Sequence, residues 1–345
     1  MGQDDVNEFR WLVTGRSARS GGGKYAAGEG GREAILTDLV EWLLTPEWAK
    51  AQYGFTDRDR TIAASKEKMI MGLLDGKTTI VTGAGSGIGK ASAKLLAADG
   101  ATVALVGRRA KVLDEVAHEI TAVGGRAIVV PTHIESRDEV AELVRHVSDE
   151  AGPVDILVNN AGSASKTRNV RWMLDEEWQQ VIDVNLNAVY LLTQAVLPDM
   201  LECGSGTIIT VSSLSAVNPS LLGGAAYGAA KAAARNFMVY LHNTFSNDGI
   251  RATCILPGEV DTPIMNNRPR PPTEDERAGM VHAEDVARAV HLAASLPDRT
   301  VISELVIVPR HQRDTSADLD VSRWIGAPAN FAAAHTSDSS AEVAP

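Results

Sequence analysis

Between about residues 72 and 310, short apolar segments rich in β-branched residues alternate with segments of helical periodicity. The pattern predicts seven strands, at 78–81, 102–106, 127–131, 156–158, 207–211, 251–256 and 304–308. Helices are predicted near 87–99, 110–123, 137–151, 175–203, 226–247 and 283–295. Most of the strand segments are apolar throughout, which is typical of strands buried on both faces of a parallel sheet. The alternation therefore predicts an α/β fold with a doubly wound parallel sheet in a three-layer α/β/α sandwich. Ligands of such folds bind beyond the carboxyl ends of the strands.

The composition of the 345-residue chain excludes several other classes of protein. Acidic residues number 44 against 33 basic ones, a formal net charge of -11, and an acidic chain is a poor non-specific ligand for nucleic acid or anionic membranes. No apolar run approaches the length of a membrane span. The 2 cysteines, Cys203 and Cys254, are too few for a disulfide framework or a metal cluster and suit a reducing compartment. We therefore expect a cytoplasmic protein with no metal site, no nucleic-acid partner and no membrane partner.

The chain divides by composition into three parts. Residues 1–70 are predicted to be an N-terminal extension, disordered at first and then forming short helices. The α/β domain is predicted over residues 71–310. Residues 311–345 are polar and then rich in Ala and Ser, and are predicted to form a largely disordered tail. The extension is either a functional appendage or sequence upstream of a misplaced start. We expect it to be dispensable for catalysis, and a truncation beginning at Met71 that failed to fold would contradict this.

A glycine-rich segment follows the first predicted strand directly and opens the first predicted helix. It contains Gly83, Ser86, Gly87, Ile88 and Gly89. Glycines let the backbone turn sharply and approach a diphosphate, and the start of a helix offers free N–H groups to such an anion. A glycine-rich turn without a ligand is the alternative. The strand–turn–helix context favours a dinucleotide site.

The spacing of Gly83, Gly87 and Gly89 resembles the TGxxxGxG motif of the classical short-chain dehydrogenase/reductase family. Further motifs resemble the same family in the same order along the chain. They are Asn159-Asn160-Ala161-Gly162 after strand four, Asn185, Ser213 at the end of strand five, the YxxxK pair Tyr227 and Lys231, and Pro257-Gly258 with Thr262 beyond. The resemblance covers about residues 72–310. It implies a single Rossmann-type domain whose seven strands lie in the order 3-2-1-4-5-6-7.

The resemblance also implies a catalytic set. Tyr227 and Lys231 are four residues apart, so they share a face of a helix. Tyr227 would be the acid or base at the substrate oxygen, with its pKa lowered by the Lys231 ammonium and an oxidised nicotinamide. Ser213 would hydrogen-bond the substrate oxygen, although the neighbouring Ser212 is an alternative. Asn185 would hold a water that links Lys231 to solvent, unless it only bonds the backbone of its helix. The implied function is an oxidoreductase that transfers a hydride between NADP(H) and a carbonyl or secondary alcohol. The alternative is a catalytically idle NADP-binding sensor or scaffold.

The end of the second predicted strand bears on the choice of cofactor. Arg108 and Arg109 follow it, and no acid stands there to bind the ribose 2′-hydroxyl of NAD. This predicts NADP, with Arg108 as the main contact to the 2′-phosphate, unless both arginines face solvent. An NAD-dependent dehydrogenase is the alternative. His133 stands where members of the family often carry Asp near the adenine. Further cofactor contacts implied by the resemblance are Gly83, Ser86, Gly87, Ile88, Gly89, Asn160, Ala161, Gly162, Tyr227, Lys231, Pro257, Gly258 and Thr262.

The resemblance further implies a substrate lid at 259–282 and a homodimer or homotetramer formed through the two longest helices. Residues 309–311, Pro-Arg-His, replace the Gly-Gly pair that often follows the last strand beside a subunit interface. A small-molecule carbonyl or alcohol is the expected substrate. An apolar pocket for it is expected from Ala216, Val217, Leu221, Leu222 and Met265, although core or subunit packing would also explain some of these residues.

Overall fold

A seven-stranded parallel sheet runs through the part of the chain that the computed structural model describes, residues 72–331. The chain divides into two units, Met1–Leu73 and Leu74–Pro345, and the sheet belongs to the second. The predicted N-terminal extension and residues 332–345 of the predicted tail lie outside the described residues.

The strands are β1 Thr78–Thr82, β2 Thr102–Gly107, β3 Arg126–Pro131, β4 Ile156–Asn159, β5 Gly206–Val211, β6 Ile250–Pro257, β7 Val260–Asp261, β8 Val281–His282 and β9 Glu304–Ile307. The α-helices are α1 Gly87–Ala98, α2 Ala110–Thr121, α3 Arg137–Ala151, α4 Asp175–Ile182, α5 Ala188–Glu202, α6 Ala225–Phe245, α7 Glu274–Ala278, α8 Ala283–Ser295 and α9 Ser316–Trp324. A π-helical segment, Asp183–Asn187, joins α4 to α5.

The order of the strands in the main sheet is β3-β2-β1-β4-β5-β6-β9, and all of its neighbouring strands are parallel. The seventh strand in this order is β9, because β7 and β8 pair only with each other in a small second sheet. The predicted doubly wound α/β fold and its strand order are therefore confirmed.

Alternate residues of each strand point to opposite faces of the sheet and enter two separate cores. Val81 packs in the core that contains Leu96 of α1, Leu113 of α2 and Val286 of α8. Its neighbour Ile80 packs in the core on the other face, with Leu143 of α3, Leu192 of α5 and Met238 of α6. This double burial explains why the strand segments are apolar throughout.

The carboxyl ends of β1, β2, β4, β5 and β6 meet at one edge of the sheet, because the strands are parallel. The order of the strands reverses at β1, which pairs with β2 on one side and β4 on the other. Open α/β sheets bind ligands at this switch point.

The tail differs from the sequence-based expectation over the residues that the structure describes. Instead of a largely disordered chain from residue 311, residues Ser316–Trp324 form α9, and Asp318 is buried. The amino-acid pattern does not predict this helix, because the helix is short and carries few apolar residues. Ion pairs rather than apolar contacts hold Asp318, as described below.

The segment Asp175–Glu202 is a continuous helical stretch of 28 residues that, by length and composition alone, could cross a membrane. We expected no apolar run of this length. Leu192, Val196 and Met200 of this stretch are buried in the core beside the sheet. Packing in that core accounts for its apolar composition.

Candidate active site

A cavity of about 780 Å³ opens at the carboxyl edge of the sheet. The glycine-rich segment, the ends of β2, β4, β5 and β6, and the start of α6 all contribute to its wall. The predicted site residues that line it are Gly83, Ser86, Gly87, Ile88, Arg108, Arg109, Asn160, Ala161, Gly162, Ser213, Tyr227, Lys231, Pro257, Gly258 and Thr262. Gly89 and Asn185 are not part of the wall. The topology thus brings together residues spread over almost 180 positions of the chain.

The glycine-rich segment is shaped by close contacts that exclude larger side chains. Gly87 has a φ of +52°, and a Cβ atom there would lie 3.0 Å from Cγ2 of Thr262. A Cβ atom on Gly89 would lie 2.3 Å from the carbonyl oxygen of Gly83, so Gly89 lets α1 pack against the turn. Ser86 precedes α1 but makes no side-chain cap. The first N–H groups of the helix therefore remain available to an anion in the cavity.

Hydrogen bonds join the end of β1 to the segment after β4. The Thr82 hydroxyl accepts hydrogen bonds from the backbone N–H groups of Asn160 and Ala161, both at 3.0 Å. The Asn160 amide donates to the Thr82 carbonyl at 2.9 Å. These bonds hold the two neighbouring strand ends in one arrangement and fix the floor of the cavity.

The two candidate serines have different surroundings. The Ser212 hydroxyl donates to the Lys231 carbonyl at 2.9 Å and is buried. The Ser213 hydroxyl accepts a hydrogen bond from the Ser215 N–H at 3.1 Å and also hydrogen-bonds the Tyr227 phenol. Ser213 is therefore the serine that shares a hydrogen-bonding position with Tyr227.

The Tyr227 phenol is protonated at neutral pH in this structure. Burial raises its pKa above the ordinary value of 10.0, although the hydrogen bond with Ser213 and the charges of Arg168 and Arg268 act in the opposite direction. The Nζ atom of Lys231 lies 5.7 Å from the centre of the Tyr227 ring and donates to the Val211 carbonyl at 2.8 Å.

Lys231 and Asn185 face the same small space beside Gly162. Lys231 is 4% exposed, and burial lowers its pKa from 10.5 to about 8. The Asn185 amide nitrogen donates to the carbonyls of Ser163 and Val181, both at 2.8 Å, whereas its buried Oδ1 has no partner in the described part of the chain. A Cβ atom at Gly162 would lie 3.0 Å from that Oδ1 and 3.6 Å from the Lys231 Nζ. Asn185 stands in the π-helical segment Asp183–Asn187, a distortion that frequently marks functional positions.

Arg108 and Arg109 lie at the opposite end of the cavity, where β2 ends. Both side chains are exposed and line the cavity, and within residues 72–331 neither forms an ion pair or a side-chain hydrogen bond. His133 is turned away from the wall, because its backbone N–H and its Nδ1 both contact Glu139, at 2.7 and 3.0 Å. Two exposed guanidinium groups without a partner among the described residues thus lie at this end of the cavity.

The segment predicted as a lid contains the small β7–β8 sheet and α7. Of the predicted apolar pocket residues, Leu222 and Met265 line the cavity, whereas Ala216, Val217 and Leu221 do not. Gln312, Arg313 and Thr315 of the tail complete this side of the wall. These tail residues were not predicted from the sequence, because they belong to none of its motifs.

Arg168 is the second feature of the site that sequence reasoning missed. It lies in the long connection between β4 and α4, lines the cavity and is only 4% exposed. A single arginine in a polar connection carries no signal in the sequence, so only the folded chain reveals its burial beside Tyr227.

The profile of the short chain dehydrogenase family matches residues 77–272. Among the similar curated proteins is an uncharacterised oxidoreductase of Staphylococcus aureus strain USA300. It is 35% identical over 239 residues, which are 69% of this chain and 100% of the relative.

Two similar crystal structures differ in the cofactor that they contain. One is a metagenomic short-chain oxidoreductase in complex with NADP, which has 32% identity and a TM-score of 0.61 and covers 70% of this chain and 100% of its own. The other is a 3-ketoacyl-(acyl-carrier-protein) reductase from Brucella melitensis in complex with NADH. It has 30% identity and a TM-score of 0.62 and covers 68% of this chain and 98% of its own.

Proposed function

Because the chain belongs to the short-chain dehydrogenase family, whose members bind a nicotinamide cofactor, we propose that it is an NADP-preferring oxidoreductase that interconverts a carbonyl compound and a secondary alcohol. The observation that carries this proposal is the grouping of Ser213, Tyr227 and Lys231 on one cavity wall, with Ser213 hydrogen-bonded to Tyr227. The cofactor, when bound, supplies or accepts the hydride. The chain itself must bind, orient and exchange a proton with the substrate oxygen.

Tyr227 is proposed to exchange that proton. Its raised pKa keeps the phenol protonated at neutral pH, so it can donate a proton to a carbonyl oxygen as the alcohol forms. The Ser213 hydroxyl, hydrogen-bonded to the same phenol, would bind the substrate oxygen and hold it at the position of proton transfer. In the direction of oxidation the same phenol must first lose its proton, which Ser213 and the nearby cations Arg168 and Arg268 favour.

Lys231 and Asn185 are proposed to return the proton to Tyr227. A lysine with a pKa of about 8 is mostly charged at neutral pH and still exchanges protons readily. The free Oδ1 of Asn185 would accept a hydrogen bond from a water beside Lys231, which provides a route toward solvent. Both groups face the space beside Gly162.

The residues of the cavity fit a dinucleotide with an extra phosphate. The uncapped start of α1 offers N–H groups to the diphosphate. Arg108 and Arg109, which have no ion-pair partner within residues 72–331, lie beyond the end of β2, where a carboxylate would be needed to favour NAD. NADP is therefore the proposed cofactor.

Replacing Tyr227 by Phe tests the catalytic assignment. Tyr227→Phe removes only the hydroxyl, so we expect carbonyl reduction to fall to below a few per cent of the wild-type rate while NADPH binding, followed by fluorescence titration, stays unchanged. Tyr240→Phe is the matched control, because Tyr240 is an exposed tyrosine of the same helix. Substantial activity in Tyr227→Phe would contradict the assignment. NADPH binding without turnover of any carbonyl compound by the wild type would favour the idle binding protein instead.

Assembly and location are also proposed. Tyr190 of α5 and Val239 and Tyr240 of α6 are large and exposed, and burying such residues between copies of the chain would favour a homodimer or homotetramer. Light scattering that gave a monomer mass would contradict this. The two free cysteines, Cys203 and Cys254, are compatible with a reducing cytoplasm, and fractionation of cells would test that location.

A further inference from the structure

Arg168 lines the cavity, and part of its guanidinium group lacks a hydrogen-bonding partner. Its Nη1 donates to the Gly223 carbonyl at 2.7 Å, whereas its buried Nε has no partner among the described residues. Its Nη2 makes no hydrogen bond within residues 72–331. The Nε–H and Nη2–H groups of a guanidinium point in parallel and match the two oxygens of one carboxylate. Burying such donors without an acceptor is costly, so this free edge requires an explanation.

The position of Arg168 is fixed by the start of α6. The Ala225 N–H donates to the Arg168 carbonyl at 3.1 Å. Gly224 has a φ of +87°, and a Cβ atom there would lie 2.9 Å from Cδ of Arg168. Arg168 is thus held against Gly224 and Ala225, which stand three and two residues before Tyr227 in the chain. A group fixed before the ligand arrives loses little entropy on binding.

Within residues 72–331, no carboxylate forms an ion pair with Arg168. Burial lowers the pKa of its guanidinium to about 10, which leaves the group charged at neutral pH. The nearby cation Arg268 is paired with Glu259. Glu177 is the carboxylate whose charge acts on Arg168, but within the described residues it forms no ion pair with it, and its own buried Oε2 has no partner.

We propose that Arg168 binds a carboxylate of the substrate, so that this enzyme acts on anionic carbonyl compounds, namely oxo acids and the corresponding hydroxy acids. The inference rests on the proposed function, because Tyr227 and Ser213 define where the carbonyl oxygen lies. Arg168 would then orient the substrate from its second polar end. A purely structural role, in which Arg168 only holds the Gly223 carbonyl, is the alternative.

Paired substrates separate these roles in the full-length protein saturated with NADPH. The pairs are phenylglyoxylate and 4-oxo-4-phenylbutanoate, each compared with its own methyl ester. We expect kcat/KM to favour at least one of the acids over its ester by about 10- to 150-fold, the range expected for hydrogen bonds to a charged group. Arg168→Met should remove that preference chiefly by raising KM for the acid, so that kcat/KM falls much more for the acid than for the ester. Arg168→Lys keeps the charge but loses the parallel donors, so it should restore only part of the preference.

Arg171→Met is the matched control. It removes the same charge from the same connection, but Arg171 is exposed and lies against the ring of Trp172 at 4.3 Å, outside the cavity wall. It should leave the preference for acid over ester unchanged. Equal kcat/KM for acid and ester in the wild type would overturn the proposal. So would an equal loss for both in Arg168→Met, the result expected from a structural role.

A binding measurement distinguishes this inference from the proposed function. If the wild type reduces none of the four compounds, the proposed function is contradicted for these substrates, and calorimetric titration of benzoate and benzamide into the NADPH complex still tests Arg168. Benzoate should bind more tightly than benzamide by a similar factor. If Arg168→Met does not fold, the same titration of the wild type and of Arg168→Lys tests whether Arg168 binds a carboxylate. Equal binding of benzoate and benzamide would overturn the carboxylate site.

Discussion

Arg313 connects α9 to the rest of the domain, because its guanidinium group contacts carboxylates in both. Its Nη1 and Nη2 contact the two oxygens of Asp318 at 2.9 and 3.0 Å. Its Nε and Nη2 contact the two oxygens of Glu259 at 3.0 and 2.9 Å, and Nη1 also contacts Glu276 at 3.3 Å. We predict that Arg313→Met releases α9 from the domain while the seven-stranded sheet stays folded.

The size of the effect follows from the burial of the charges that lose their partner. The Asp318 side chain is 3% exposed and the Glu259 side chain 16%, so water would relieve little of the cost. Removing one partner of a buried ion pair costs about 3–5 kcal/mol. Arg270 still contacts Asp318 at 2.9 Å and Arg268 still pairs with Glu259. We therefore expect a cost at the lower end of this range, about 3 kcal/mol. This corresponds to about 150-fold in the equilibrium constant for local opening.

Hydrogen exchange of peptides that cover Ser316–Trp324, followed by mass spectrometry, measures this opening directly. Arg313→Met should exchange faster in these peptides by up to the expected factor and should match the wild type in peptides from the sheet. Arg288→Met is the control, since Arg288 is 73% exposed in its pair with Asp285 and such pairs contribute little. Adding Asp318→Asn to Arg313→Met restores the balance of charge and should recover part of the protection. Unchanged exchange in Arg313→Met would refute the reasoning.

Acid should release α9 in the same way. Burial would raise the pKa of Glu259, but hydrogen bonds from Arg313 and Arg268 outweigh it and hold the pKa below the ordinary value of 4.5. Hydrogen bonds from the Thr273 backbone and from Arg270 lower the pKa of Glu276 to about 2. Groups with a lowered pKa stabilise the folded state above their ordinary pKa and lose this effect as they are protonated. The release should therefore develop as the pH falls from about 4.5 toward 2.

Two further predictions concern the cofactor. Arg108→Ala should raise KM for NADP and leave KM for NAD almost unchanged; the loss should lie toward the lower end of about 10- to 150-fold, because the side chain is exposed. The ratio of kcat/KM for the two cofactors measures this, and a wild-type ratio near one would contradict the preference. Gly89→Ala should destabilise the domain and weaken NADPH binding, because its Cβ atom would meet the backbone of Gly83 at 2.3 Å. Gly85→Ala is the control for thermal denaturation and fluorescence titration, since its Cβ atom meets only the movable side chains of Val112 and Leu113; equal effects of the two substitutions would contradict the steric argument.

The part of the site that was predictable from the sequence depends on local spacing. The turn that contains Gly87 must lie directly between a strand and a helix. Tyr227 and Lys231 must be four residues apart to share a helix face. These requirements leave a pattern in the sequence. The order of the strands came from the resemblance, because the alternation of strands and helices alone is compatible with more than one doubly wound order.

The rest of the site depends on contacts between distant residues and on burial, which local patterns do not encode. Arg313 contacts Glu259 across 54 positions of the chain, and nothing near either residue signals the pair. The surroundings of Lys231 and Tyr227 likewise depend on contacts between distant residues. The Nζ atom is bound to the Val211 carbonyl, and burial is the largest influence on the pKa of Tyr227; neither has a signal in the local sequence.

The net charge of the chain opposes the binding of anions. The chain carries a formal net charge of -11, so its long-range field repels both a cofactor phosphate and a carboxylate substrate. Binding energy must then come from short-range contacts at Arg108 and Arg168. Salt screens the contact at the exposed Arg108 strongly, but it screens one at the buried Arg168 much less. Salt also screens the general repulsion, which acts on both proposed anion sites. The affinities of the two sites should therefore respond differently to salt only because Arg108 is exposed and Arg168 is buried. Added salt should weaken NADP binding while leaving the preference for a carboxylate substrate over its ester nearly constant.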